Sequence, residues 1–90
     1  MKTKKEKTLI NFKKAQSLIS KLIKMSESDD YCIDIMQQNL AVIGLLRSAH
    51  EMLMANHLNT CFRKAMASGS EKKKQEMTDE ILKVTNLFNK

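Results

Sequence analysis

Residues 31–66, YCIDIMQQNLAVIGLLRSAHEMLMANHLNTCFRKAM, contain no Pro and a single Gly, Gly44. The stretch is rich in Leu, Met, Ala and Gln, all good helix formers. Apolar side chains recur at helical spacing: Ile35, Met36, Leu40, Ile43, Leu46, Met54, Leu58 and Phe62. The pattern predicts one helix of about ten turns, roughly 50 Å long. A helix so long and so apolar cannot stand alone in water. The rest of the chain must be arranged around it.

Little chain is left to do so. Of 90 residues, only 4% are aromatic and none is Trp. A lone chain of this size would leave much apolar surface wet, and oligomerisation is the ordinary remedy. Residues 1–7 read as a flexible basic tail. Thr8 is a candidate cap for a first helix running to about Glu27. Phe12, Ala15, Ile19, Leu22 and Ile23 form its apolar stripe, with Leu18 and Met25 beside it. SESDD at 26–30 reads as a turn in which Ser28, Asp29 or Asp30 caps the long helix. Gly69 in ASGSE marks its end. A last helix from about Lys72 to Phe88 carries Met77, Ile81, Val84 and Phe88 as a stripe, widened by Leu87. Short connections favour antiparallel neighbours. The expected fold is therefore all-α: a three-helix protomer over residues 8–90 with one long central helix, forming a single domain.

Charge is unevenly spread. Residues 1–24 hold eight Lys against Glu6, whereas residues 25–70 are net acidic and residues 71–90 nearly balanced. The positive field sits on the first helix and its leader, which points to a polyanionic partner. No run approaches the ~20 apolar residues of a membrane span. With two cysteines and no signal-peptide pattern, a reducing, cytoplasmic setting is expected. There is no phosphate-binding Gly loop, no GxSxG and no acid–base pair, so no catalytic residues are assigned. The seven Met residues read as core fillers and His50 as structural.

The chemistry is concentrated in Cys32, His57 and Cys61. His57 and Cys61 are four apart, one turn along one helix face. Cys32 lies 29 residues before Cys61, about 43 Å away along a straight helix. Within one chain the two sulfurs cannot share an ion. If two copies pair antiparallel, Cys32 of one arrives beside His57 and Cys61 of the other. The crossing centre then falls near residues 45 and 46, next to Gly44. This set suits soft ions. Three ligands favour Cu(I), whereas Zn(II) wants a fourth. On spacing alone the competing reading is that both cysteines are small buried residues and His57 a polar surface residue.

At these residues the sequence resembles the copper-sensitive operon repressors (the CsoR family). The likeness is close over YCIDIMQQNLAVIG and NHLNTCF, and it extends over roughly residues 9–88. Cys32, His57 and Cys61 reproduce the family's Tyr-Cys and His-x-x-x-Cys elements, with the His 25 residues after the first Cys. The resemblance implies an antiparallel homodimer assembling into a homotetramer. It implies trigonal Cu(I) held by Cys32 of one chain and His57 and Cys61 of the next. It further implies that the apo form represses by binding double-stranded operator DNA, and that Cu(I) releases it by allosteric linkage. The supporting pair near the metal maps to Tyr31 and to an acid on the last helix. That acid is Glu80 if three residues are inserted after Gly69; without the insertion the position is Met77. Lys4, Lys5, Lys13, Lys14, Lys21 and Arg47 are the expected DNA contacts. The first helix departs from the family: Asn11 stands where Arg is frequent, and Ser17-Leu18 where Gly-Gln is. Two rivals remain, a thiol- or persulfide-sensing repressor on the same scaffold and a metal-binding helical module that does not touch DNA.

Overall fold

The computed structural model describes residues 4–90, and among them there are helices and short connections but no strand. Helix α1 spans Lys4–Glu27 and α2 spans Cys32–His57. A π-helical segment, Leu58–Phe62, follows without a break, and then α3, Arg63–Ala67. Helix α4 spans Glu71–Phe88. The chain groups into two compact units that divide between Asn56 and His57.

In the first unit α1 packs on α2. Helix α1 starts four residues earlier than its expected cap. Lys4–Lys7 are good helix formers, and Glu6 suits the positive end of the helix. Residues 4–7 are therefore helical rather than a tail, and residues 1–3 lie outside the described residues. Thr8 is no cap but a buried seam residue. The α1 positions turned inward are Thr8, Asn11, Ala15, Leu18, Leu22 and Met25. On α2 they are Ile35, Gln38, Val42, Leu45, Ala49 and Met52. Both strings step by three and four residues, the spacing of a two-helix seam. Its closest points are small: Ala15 is 1% exposed and Ala49 0%. Asn11 spans the seam, its Nδ2 donating to the Leu45 carbonyl at 3.3 Å.

The stripe expected to be buried on α1 is thus rotated by about one residue. Phe12, Ile19 and Ile23 lie outward with Leu9, and Ile23 is 54% exposed. Small and polar residues fill the seam because they let the backbones come close. The larger residues stand on the neighbouring face.

Helix α1 ends as expected at Glu27. Asp29 adopts φ 56°, while the Asp30 amide donates to Met25 and the Asp29 amide to Ser26. This paired closure satisfies carbonyls that the helix end leaves unpaired. Asp29 thus closes α1 instead of capping α2. The Tyr31 carbonyl accepts from Asp34 and Ile35, so Tyr31 stands where α2 begins.

In the second unit α3 and α4 pack together around buried Ala65. Gly69, at φ 76°, makes the predicted stop. Ser70 caps α4, its Oγ accepting from the Lys73 amide at 3.3 Å. Met77 and Ile81 are half-buried, whereas Val84, Leu87 and Phe88 are exposed. Only the first half of the expected α4 stripe is covered. No helix among the described residues is long and apolar enough to cross a membrane.

Candidate functional site

Cys32 is the first residue of α2 and belongs to the first unit; His57 and Cys61 belong to the second. Both cysteines are exposed and free, contrary to the reading of them as small core residues. His57 is half-buried at the end of α2. Cys61 sits on the π-helical segment. A π turn takes one residue more per hydrogen-bonded ring than an α turn, and such turns recur at functional sites. Nothing in LNTCF announces it, since the segment holds neither Gly nor Pro. The Thr60 hydroxyl donates to the Cys61 sulfur at 3.7 Å, a contact sequence reasoning missed.

Beyond Cys61 the helix faces α4 across a groove of about 420 Å³. Cys61, Ala65 and Ser68 line one side at helical spacing; Lys73, Glu76, Met77 and Glu80 line the other. Both alternatives for the supporting position, Glu80 and Met77, therefore share a groove with Cys61. Glu76 and Lys64 share it too, and the sequence reading named neither. A periodic reading of α4 finds Glu76, which lies one turn before Glu80, once the groove-facing side is known.

The donor set is soft and reachable: two exposed thiols and one imidazole. Among the described residues, no three His, Cys, Asp or Glu side chains are gathered closely enough to hold a metal ion within one chain. Tyr31, next to Cys32, is 70% exposed.

The expected DNA contacts divide among faces. Lys13, Lys14 and Lys21 are exposed on the polar side of α1, with Lys7 and Lys24. Lys5 falls instead beside Leu9 and Phe12, where with Leu53 it lines a second groove. Lys4 is the first residue of α1. Arg47 is exposed on α2, at helical spacing from the exposed Met36, Leu40 and Ile43 and the half-buried His50 and Met54. The lysines of α1 are on a different helix face from the one that packs against α2. Met36 is exposed, so it is no core filler within the chain.

The family described as metal-sensitive transcriptional repressor matches residues 4–86. The copper-sensing transcriptional repressor CsoR of Mycobacterium ulcerans (strain Agy99) is 38% identical over 79 residues, 88% of this chain and 65% of that protein. The protein of the same name from Bacillus subtilis (strain 168) is 31% identical over 91 residues, 99% of this chain and 87% of that protein. The copper-sensing transcriptional repressor RicR of Mycobacterium tuberculosis (strain ATCC 25618 / H37Rv) is 35% identical over 57 residues, 63% of this chain and 59% of that protein. The chain thus spans less than two thirds of the mycobacterial relatives' length.

Proposed function

The chain belongs to the metal-sensitive transcriptional repressor family, and on that premise we propose that it is a cytoplasmic, Cu(I)-responsive repressor. Its apo form binds operator DNA, and Cu(I) binding releases the DNA to derepress metal export or resistance genes. The observation that carries this reading is the donor set. Two exposed thiols and a half-buried imidazole stand at Cys32, Cys61 and His57, yet the described residues of one chain gather no complete ligand group. An antiparallel second copy completes it, with Cys32 from one chain and His57 and Cys61 from the other. Two such dimers form the homotetramer.

The residues have distinct roles on this reading. The two thiolates prefer a soft monovalent ion, which supplies only charge and a fixed link between chains. Glu80 and Tyr31 hold the ligands in orientation. Lys13, Lys14 and Lys21, with Lys4 and Lys5 at the helix start, attract phosphate, so DNA binding falls steeply with salt. Metal and DNA favour different arrangements of the subunits, and each therefore lowers the affinity for the other. No catalytic role is assigned to any residue. Exposed thiols also suit a sulfur-based sensor, in which Cys32 and Cys61 join between chains and His57 is dispensable.

The test is an anaerobic Cu(I) titration of reduced protein against a strong Cu(I) chelator, with binding to its own promoter DNA followed in parallel. One tight Cu(I) per chain, with DNA released at that equivalence and both effects lost in His57→Ala, is expected. Tight copper that leaves the DNA complex intact overturns the reading. DNA release by a persulfide donor that survives His57→Ala moves the assignment to the sulfur sensor.

A further inference from the structure

Cys61 stands on a turn of uncommon form, and that turn gives its sulfur a neighbour. In an α-helix, consecutive side chains do not face each other. The Leu58–Phe62 segment is π-helical instead. A π ring closes over one more residue than an α ring, so each residue turns the chain through a smaller angle. Consecutive side chains therefore fan out less. Thr60 and Cys61 show the result: the Thr60 hydroxyl donates to the Cys61 sulfur at 3.7 Å, although the two residues are adjacent in sequence.

The contact bears on how the sulfur is presented. Cys61 is exposed and free, and no burial fixes its side chain. An unheld thiol turns among the staggered positions about χ1. A hydroxyl donating to the sulfur favours one of them and takes up one side of the sulfur atom. Thr suits this task, because its β-branch restricts its own χ1 and so holds the hydroxyl. A sulfur that ligates a metal is a thiolate. The hydrogen bond to it is then charge-assisted and stronger than to a thiol.

We propose that Thr60 is a positioning residue of the soft-ion site, its hydroxyl orienting the Cys61 thiolate toward the ion. The inference rests on the Cu(I) reading above, in which Cys61 is a ligand. Glu80 and Tyr31 support that site from other parts of the fold, whereas Thr60 acts on the sulfur from within the same turn. Ordering the thiolate before the ion arrives reduces the freedom lost on binding, which favours binding. The π turn gains a role on this account: it brings a donor next to a ligand that a regular α-helix keeps apart.

The test compares full-length, reduced chains. Thr60→Val keeps the branched shape and loses the donor; Thr60→Ser keeps the donor. Cu(I) affinity is measured by competition with a strong Cu(I) chelator. The sulfur-to-copper ultraviolet band is recorded at one Cu(I) per chain, and circular dichroism follows helix content. Thr60→Val is expected to bind Cu(I) about tenfold more weakly, the low end of what losing an outer partner of a ligand costs. Its band is expected at lower energy, because a sulfur without its hydrogen bond gives up charge more readily. Thr60→Ser is expected to restore most of both, and apo DNA affinity to be the same in all chains. Thr60→Ala, a better helix former than Val, is expected to behave as Thr60→Val and decides the matter if Val disturbs the helix. Donor-free chains that match the parent in affinity and band overturn the proposal and leave copper sensing intact. A Thr60→Ser chain as weak as Thr60→Val also overturns it, since the branch and not the hydroxyl is then the cause. A parent chain that binds Cu(I) weakly sinks the copper reading itself.

Discussion

The two faces of α2 share one helix, one spacing and similar apolar content, yet they end differently. The inward string from Ile35 to Met52 is covered by α1, with Val42 and Ala49 buried. The outward string leaves Met36, Leu40 and Ile43 each more than two fifths exposed. The covered face is built of small residues at its closest points and includes a hydrogen bond from Asn11. The bare face carries larger apolar side chains. Burial of a Leu or Ile side chain contributes about 1.5–3 kcal/mol, so the bare face holds more unused stabilisation than the covered one. A helix folded this way has one face for its own chain and one for another.

The sharpest break is a charge on the bare face. Leu40→Glu is expected to leave the α1–α2 pair folded in a dilute sample, because residue 40 touches no core. Burying an unpaired carboxylate between copies costs roughly 3–5 kcal/mol, so association drops by at least about a hundredfold. Thermal midpoints measured over a range of protein concentrations check this. The parent's midpoint rises with concentration as mass action requires, and the variant's does not. If both midpoints are independent of concentration, the bare face has no partner copy.

The covered face answers to size. Ala49→Leu forces a larger side chain into a position with no exposed area and is expected to cost about 1–3 kcal/mol. Ala41→Leu, on an exposed position of the same helix, is expected to change stability by no more than about 0.5 kcal/mol. Urea unfolding of the pair at one fixed concentration separates them. Equal effects at the two positions mean that α1 does not close on this face.

The same contrast explains what was legible in the sequence. Helix-forming composition, Glu27 as an end and Gly69 as a stop all act locally, and the structure keeps them. The spacing of His57 and Cys61 is local too. The buried stripe of α1 is not local. Phe12, Ile19 and Ile23 are more apolar than Thr8 and Asn11, and hydropathy alone puts the larger residues inside the chain. It cannot separate surface covered by the same chain from surface left for another, and it undervalues small residues that permit close approach. Thr8 was misread for a related reason: a hydroxyl suits a helix start, but it also suits a tight seam. The π turn at Leu58–Phe62 leaves no residue signature. The groove joining Cys61 to Glu76, Met77 and Glu80 depends on how α3 meets α4, which spacing does not give.

Asn11 offers the finest test of which face is which. By the resemblance, Asn11 stands where Arg is frequent in the family. In the structure it is half-buried, and its amide donates across the seam to the Leu45 carbonyl. A neutral hydrogen bond of this kind contributes about 0.5–1.5 kcal/mol. Asn11→Ala is therefore expected to lower stability by about 1 kcal/mol in urea unfolding. The salt dependence of DNA binding should not change, since no phosphate contact is removed. Asn11 would then be the polar member of the α1–α2 seam, fixing how one helix lies along the other. A variant with unchanged stability and a shallower salt slope would instead turn Asn11 outward, toward the operator, and α1 would have to rotate on α2 to allow it.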